Sequence, residues 1–294
     1  MYLTGFADEA AKDLAGQIKA TRELGWSRIE SRAIDGTNIH DLPEAAFDQV
    51  CAQLQDSGVT INCFGSTIAN WGKDIREPFD KDLEQARRAI PRMQRLGTKL
   101  IRIMSYAVIP DAAVHEQMEE ERFRRVAVLT RLFLDAGIQP VHENCMNYGG
   151  MGWSFTLKLV ERVPGLQLVF DTGNPIFTLD RTQPKPYPYQ SAWEFYHNVR
   201  KYVTYVHIKD GWMKPETGNA VYGWPGEGTG DVVRICKDLI KRGYAGGLSI
   251  EPHMGAVFHD PTITNDDQSR FATYVEYGRR MEKLLLDLGA SLEK

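Results

Sequence analysis

Leu166-Gln167-Leu168-Val169-Phe170-Asp171-Thr172-Gly173-Asn174 is a short apolar run that stops on an aspartate and a glycine turn. It is too short for a helix and reads as a buried strand whose last residue carries a charge. Seven further runs of the same kind lie at residues 2–6, 27–31, 59–64, 99–104, 139–143, 203–209 and 248–251, several of them rich in Val and Ile. Helical patterns separate them. Leu83, Ala86, Ile90 and Met93 repeat at intervals of three and four, and so do Phe271, Tyr274, Val275, Gly278, Met281, Leu285 and Leu288. Gly25, Gly58, Gly97 and Gly137 each fall just past a helical pattern and just before a strand, where a helix-ending glycine belongs. Eight alternations of strand and helix, with no dinucleotide fingerprint after the first strand, predict a closed α/β structure, a (β/α)8 barrel, over an open doubly wound sheet.

At roughly 150 residues per domain the 294 residues would make two domains. Barrels of about 250 residues fold as one, however, and no linker divides this chain. Residues 1–294 are therefore read as a single domain. The run Gln183-Pro184-Lys185-Pro186-Tyr187-Pro188-Tyr189 follows a strand and precedes the helical pattern Trp193, Tyr196, Val199, so a long βα loop fits it. An apolar share of 43% argues against disorder. With 35 basic and 39 acidic side chains the net charge is −4, which argues against a nucleic-acid partner. No run approaches the ~18 consecutive apolar residues that cross a bilayer, so no membrane partner is expected. Residues 1–9 lack the basic and apolar regions of a signal peptide. Cys51, Cys63, Cys145 and Cys236 form no C-x-x-C pair. A cytoplasmic protein with reduced thiols is the expectation, and a homo-oligomer stays open.

In a (β/α)8 barrel the chemistry sits at the C-terminal ends of the strands. Strands five to eight end on Val141-His142-Glu143-Asn144, on Phe170-Asp171, on Val206-His207-Ile208-Lys209 and on Ile250-Glu251. Strand side chains alternate faces, so Glu143, Asp171, His207 and Glu251 can all point inward at one rim. Three carboxylates meeting in a barrel mouth would raise one another's pKa unless a cation neutralises them. A divalent metal held by carboxylate oxygens and one imidazole answers that need. The mixed, hard-leaning donor set suits Mn²⁺ first, with Mg²⁺, Co²⁺ or Zn²⁺ open.

These segments, with Gly226-Glu227-Gly228-Thr229-Gly230-Asp231 and Pro252-His253, resemble the xylose isomerase-like TIM barrel superfamily, and within it the sugar phosphate isomerases/epimerases. The resemblance covers nearly the whole chain. It implies a cage of Glu143, Asp171, His207 and Glu251 around the metal, with Glu143 and Glu251 doubling as an acid/base pair on opposite faces of a small-molecule sugar substrate. Two positions depart from the ketose 3-epimerases of that group. Asn174 stands where they carry a substrate-binding histidine, and Met213 where they carry an arginine.

A metal chelated by a carbonyl and its neighbouring hydroxyl stabilises the enediolate formed when the adjacent C–H is removed. Returning the proton to the other face epimerises, and returning it to the neighbouring carbon isomerises. Expelling a β-hydroxyl instead makes the same site a dehydratase or lyase of a keto-polyol or keto-glycoside, and the residues leave that alternative open. Asn174 and Asn144 are candidates for substrate hydroxyls or for orienting the ligands. Lys209 could reach a substrate oxygen or pair with a rim carboxylate. His253, after Pro252, sits at a loop position that can face the substrate. Trp71 is one of four tryptophans, with Trp153, Trp212 and Trp224, placed in βα loops, where an aromatic face can pack on a sugar. The run Gly226–Asp231 lacks the Lys-Ser/Thr of a phosphate loop. Asp231 is expected to cap a helix over 232–242, with a phosphate at that helix end left open.

Overall fold

The computed structural model describes residues 1–255 and 266–293. Eight parallel strands form one sheet: β1 (Tyr2–Gly5), β2 (Arg28–Ser31), β3 (Thr60–Gly65), β4 (Leu100–Ile103), β5 (Gln139–Glu143), β6 (Gln167–Asp171), β7 (Val203–Ile208) and β8 (Gly247–Ile250). Their order is β1-β8-β7-β6-β5-β4-β3-β2, and a bridge between Phe6 and Glu30 joins the two ends. The result is the (β/α)8 barrel that the alternation predicts. Between the strands run α1 (Leu14–Glu23), α2 (Glu44–Ser57), α3 (Asp80–Leu96), α4 (Glu119–Asp135), α5 (Trp153–Arg162), α6 (Ala192–Val199) and α7 (Val232–Lys241), with α8 (Asp267–Asp287) after β8. Gly25, Gly58, Gly97 and Gly137 have φ of 71°, 68°, 72° and 73°. That is the left-handed turn that ends a helix and costs glycine nothing sterically.

Two layers of core follow from strand alternation. Outward residues such as Ile29, Ile101, Phe170, Val206 and Ile250 pack against the helices, and each is at most 1% exposed. Burying such a side chain contributes roughly 1.5–3 kcal/mol. Inward, the lower half of the barrel is filled by Cys63, Val141, Val169 and Tyr205. Thr4, Asn62 and Tyr205 close that layer with two hydrogen bonds of 2.8 and 2.9 Å. The barrel is thus plugged below, with Glu143, Asp171, His207 and Glu251 above the plug at the C-terminal ends of their strands.

Two antiparallel hairpins had no signal in the hydrophobic pattern. One pairs Ala33–Ile34 with Thr37–Asn38 after β2, and the other pairs Asp210–Met213 with Ala220–Gly223 after β7. The second stands at the barrel mouth.

The glycine-rich run corrects one expectation. Asp231 has φ 53° and its side chain caps nothing, so α7 starts without the expected cap. The turn is organised instead by Asp210, whose buried carboxylate accepts the main-chain N–H groups of Gly211, Gly226, Gly228 and Gly230 at 2.8–3.0 Å. A Cβ at Gly228 or Gly230 would run into the Asp210 carboxylate, which is why this loop needs glycine there. The N–H groups that could have held a phosphate are taken by an anion of the chain itself. Asp210→Asn turns an NH₂ toward these donors. We expect it to lower unfolding stability by roughly 2–4 kcal/mol, read by denaturant unfolding, and a loss below about 0.5 kcal/mol would refute this role.

Candidate metal centre

The upper rim is built by one side chain per strand end. Asp171 on β6 and His207 on β7 are direct register partners, while Glu143 on β5 lies opposite Val169, one inward position lower. Glu251 follows the last residue of β8, and its N–H still donates to Ile208 O at 2.9 Å, so the inward alternation continues past the strand. One donor atom from each of Glu143, Asp171, His207 and Glu251 falls within 4.8 Å of all the others, and all four residues are buried. The four strand ends that the alternation aligns do converge.

Each carboxylate has one oxygen fixed by the surrounding protein, and at Glu143 and Glu251 the second oxygen accepts a donor as well. Asp171 Oδ1 accepts the N–H groups of Gly173 and Asn174 at 2.8 and 2.6 Å. Its Oδ2 is buried and accepts no well-aligned hydrogen bond, although Lys209 Nζ is 3.0 Å away. Glu143 Oε2 accepts from Arg102 Nη1 at 3.0 Å, and its Oε1 accepts from Asn174 Nδ2 at 3.1 Å and faces His207 Nδ1 at 3.4 Å. Glu251 Oε1 accepts from Arg32 Nη1 at 2.9 Å, and Oε2 from Lys209 Nζ at 2.9 Å. His207 turns Nε2 onto Glu30, 3.2 Å from Oε1 and 3.0 Å from Oε2. Its Nδ1 lies 4.0 Å from Asp171 Oδ2. The ring is thus oriented by Glu30 and offers Nδ1 to the cage, the arrangement a histidine ligand takes with a carboxylate behind it. Three carboxylate oxygens and one imidazole nitrogen, one of the oxygens without an aligned donor, fit a divalent cation by charge and by donor type.

The electrostatics depend on which cation each acid faces. Burial pushes the Glu143 carboxyl up, but the Arg102 guanidinium and His207 outweigh it and hold the group down at about 2. Burial likewise raises Glu251, and Lys209, His253 and Arg32 together bring it well below the usual carboxylate range. At Asp171 burial wins: Lys209 pulls the group down, Glu251 and Glu143 push it up, and it rises to about 6. Burial alone would strip the proton from His207, yet Glu30 and Glu143 lift the ring to about 10. Removing either partner of such a buried pair is costly, because it leaves the other charge uncompensated.

Of the further residues singled out from the sequence, Asn174, Lys209, His253 and Trp71 line a cavity of about 230 Å³ above the cage, together with Glu143 and Glu251. His253 lies past the strand, with φ 53°, and its Nδ1 sits 2.9 Å from Glu9 Oε1. Asn144 does not line the cavity. Its amide accepts from Asp171 N at 2.8 Å and donates to Asp171 O at 3.0 Å, so of its two readings it is placed to orient β6. Among the other tryptophans, Trp153 opens α5 and Trp224 packs on Tyr277. Met213 sits in the second hairpin and is not part of the cavity wall.

Sequence reasoning missed Glu30, Arg32 and Arg102. Arg32 and Arg102 stack over the Phe6 ring at 4.5 and 5.3 Å, and Arg32 also binds Asp8 at 2.8 Å. The signal was there: Ile29-Glu30-Ser31-Arg32 and Ile101-Arg102-Ile103 each place a charge inside an apolar strand at its C-terminal end. A charge in that position must be paired or must serve a site.

Fold and cage define an α/β barrel with a candidate divalent-metal centre at its mouth. The chain belongs to the xylose isomerase-like TIM barrel family, whose description matches residues 18–274. Among solved structures it is similar to a xylose isomerase-like TIM barrel protein from Mycobacterium smegmatis in complex with magnesium, at 18% identity and TM-score 0.67, covering 97% of each chain. It is similar to D-psicose 3-epimerase with D-tagatose from Clostridium cellulolyticum H10 at 15% identity and TM-score 0.67, covering 97% of this chain and 99% of that one. It is also similar to the probable 3-DHS dehydratase AsbF from Bacillus anthracis at 15% identity and TM-score 0.66, covering 93% of this chain and 97% of that one. At these identities the likeness is one of fold. No curated protein matches the chain in sequence. No helix among the described residues is long and apolar enough to cross a membrane.

Proposed function

We propose that the chain is a divalent-metal-dependent isomerase or epimerase of a small sugar or keto-sugar. Glu143, Asp171, His207 and Glu251 would hold the ion, with Mn²⁺ the first choice, and Glu143 and Glu251 would be the acid/base pair. The observation that carries this reading is that these two glutamates, from β5 and β8, share the cage and open onto one cavity. A bound divalent ion supplies Lewis acidity, which makes the C–H beside a carbonyl removable.

The protein's own groups would do the rest. Arg102 and Arg32 keep Glu143 and Glu251 ionised, so either can accept a proton from the substrate carbon it faces. The opposite glutamate, once protonated, returns a proton to the other face. Asn174 Nδ2 and Arg102 Nη1 hold Glu143 by both oxygens, which orients it through the transfer. Trp71, Phe177 and Tyr222 supply an apolar wall that excludes water from the cavity. A volume of about 230 Å³ suits a single sugar ring better than an extended chain, since pockets for larger ligands begin at roughly 300 Å³.

The test is incubation of Mn²⁺-loaded protein with a panel of ketoses and keto-glycosides in D₂O. Deuterium incorporated into product of otherwise unchanged mass is the expected result. A product that has lost water would replace this reading with a dehydratase on the same site. Full turnover after exhaustive chelation would end the metal reading.

A further inference from the structure

Lys209 holds the two oxygens that a metal ion in this cage would need. Its ammonium lies 3.0 Å from Asp171 Oδ2 and 2.9 Å from Glu251 Oε2, and the residue is buried. The other oxygen of each acid is already committed, Asp171 Oδ1 to the N–H groups of Gly173 and Asn174 and Glu251 Oε1 to Arg32. The pair left for coordination is therefore the pair that Lys209 bridges. A divalent ion and an ammonium on these same oxygens repel each other, and the repulsion grows as the surroundings dry out, so an ion bound there favours a displaced ammonium.

The main chain of Lys209 cannot leave with it. Thr172 Oγ1 donates to Lys209 O at 2.7 Å and accepts from Lys209 N at 3.1 Å, which pins the backbone to β6. The side chain can move. Lys209 lines the cavity, and its flexible four-carbon stem lets the charge swing without the strand shifting. Removing the ammonium without a replacement would leave Glu143, Asp171 and Glu251 short of a cation in a buried site.

Resting on the metal reading above, we infer that Lys209 is a built-in counter-ion that fills the cage until a divalent cation binds and is then released into the substrate cavity. Metal loading would deliver a second positive group to the substrate. The ion enters the cage, and an ammonium with free hydrogen-bond donors turns toward a substrate oxygen. Binding of metal and binding of an oxygen-rich substrate are then coupled through one side chain.

The experiment is calorimetric titration of Mn²⁺ into metal-stripped wild type and Lys209→Met. The variant is expected to bind Mn²⁺ roughly tenfold or more tightly, since the competing cation is gone. Its metal-free form should melt at a lower temperature, and Mn²⁺ should raise its Tm by more than it raises that of the wild type. Equal or weaker Mn²⁺ binding by the variant overturns the inference and leaves the metal reading standing. No Mn²⁺ binding by either protein overturns both. If Lys209→Met does not fold without metal, crystals of the wild type grown with and without Mn²⁺ decide the matter. Nζ between Asp171 and Glu251 without the ion, and turned into the cavity with it, supports the inference. The same Nζ position in both crystals overturns it.

Discussion

Glu251→Gln is expected to lower kcat/KM on any ketose the protein turns over by roughly 10³-fold, and Glu143→Gln by a similar factor. Each substitution keeps the shape of the side chain and an oxygen that can face the cage while removing the proton-accepting charge. The two sites differ in their surroundings. Glu251 is held by Arg32 and Lys209, so its loss leaves two cations facing a neutral amide. Glu143 is held by Arg102 and Asn174, so the amide at that position still finds a donor on one side. Metal content measured beside the kinetics separates loss of the acid/base from loss of a ligand. The double variant should be little worse than either single one, because an acid/base pair acts as a unit and losing either member already interrupts the sequence of two proton transfers. Activity within about tenfold of wild type in either single variant, with metal retained, would remove the two glutamates from the chemistry.

Glu30→Gln is expected to weaken Mn²⁺ binding by roughly 10- to 100-fold, though Glu30 is not one of the four cage residues. His207 can serve the cage through Nδ1 only while Nε2 carries its proton toward Glu30 and the ring stays in place. The glutamine still accepts that N–H, but without the charge that makes the ring a stronger donor to metal. Glu30→Ala removes the partner altogether and should weaken binding further. Calorimetry at fixed pH measures both. Unchanged Mn²⁺ affinity in Glu30→Ala would mean that His207 does not depend on this carboxylate or does not bind the ion.

Most of the barrel was legible because its signals are local. Each strand was recognised within one or two residues of its observed bounds, for instance 166–171 against Gln167–Asp171, since a short apolar run between glycine-ended helices has few other readings. The hairpins after β2 and β7 were not, because their strands of two to four residues carry no hydrophobic period. The Asp231 cap failed for a related reason. An aspartate before a helix is a good local guess, but Asp210, some twenty residues earlier, had already satisfied that loop.

From its own order of residues the chain determined the alternation of strand and helix, the face on which Glu143, Asp171, His207 and Glu251 lie, and hence that they share one rim. Those properties follow from periods of 2 and 3.6 residues acting over short stretches. Only closure of the barrel decided what stands beside each of them. Glu30 meets His207 across 177 residues, Arg32 meets Glu251 across 219, and Lys209 meets Glu251 across 42. Those pairings depend on how far each strand is staggered and on the bridge from Phe6 to Glu30 that brings β2 next to β1. Stagger is set by packing of the whole ring and leaves no trace in any single segment.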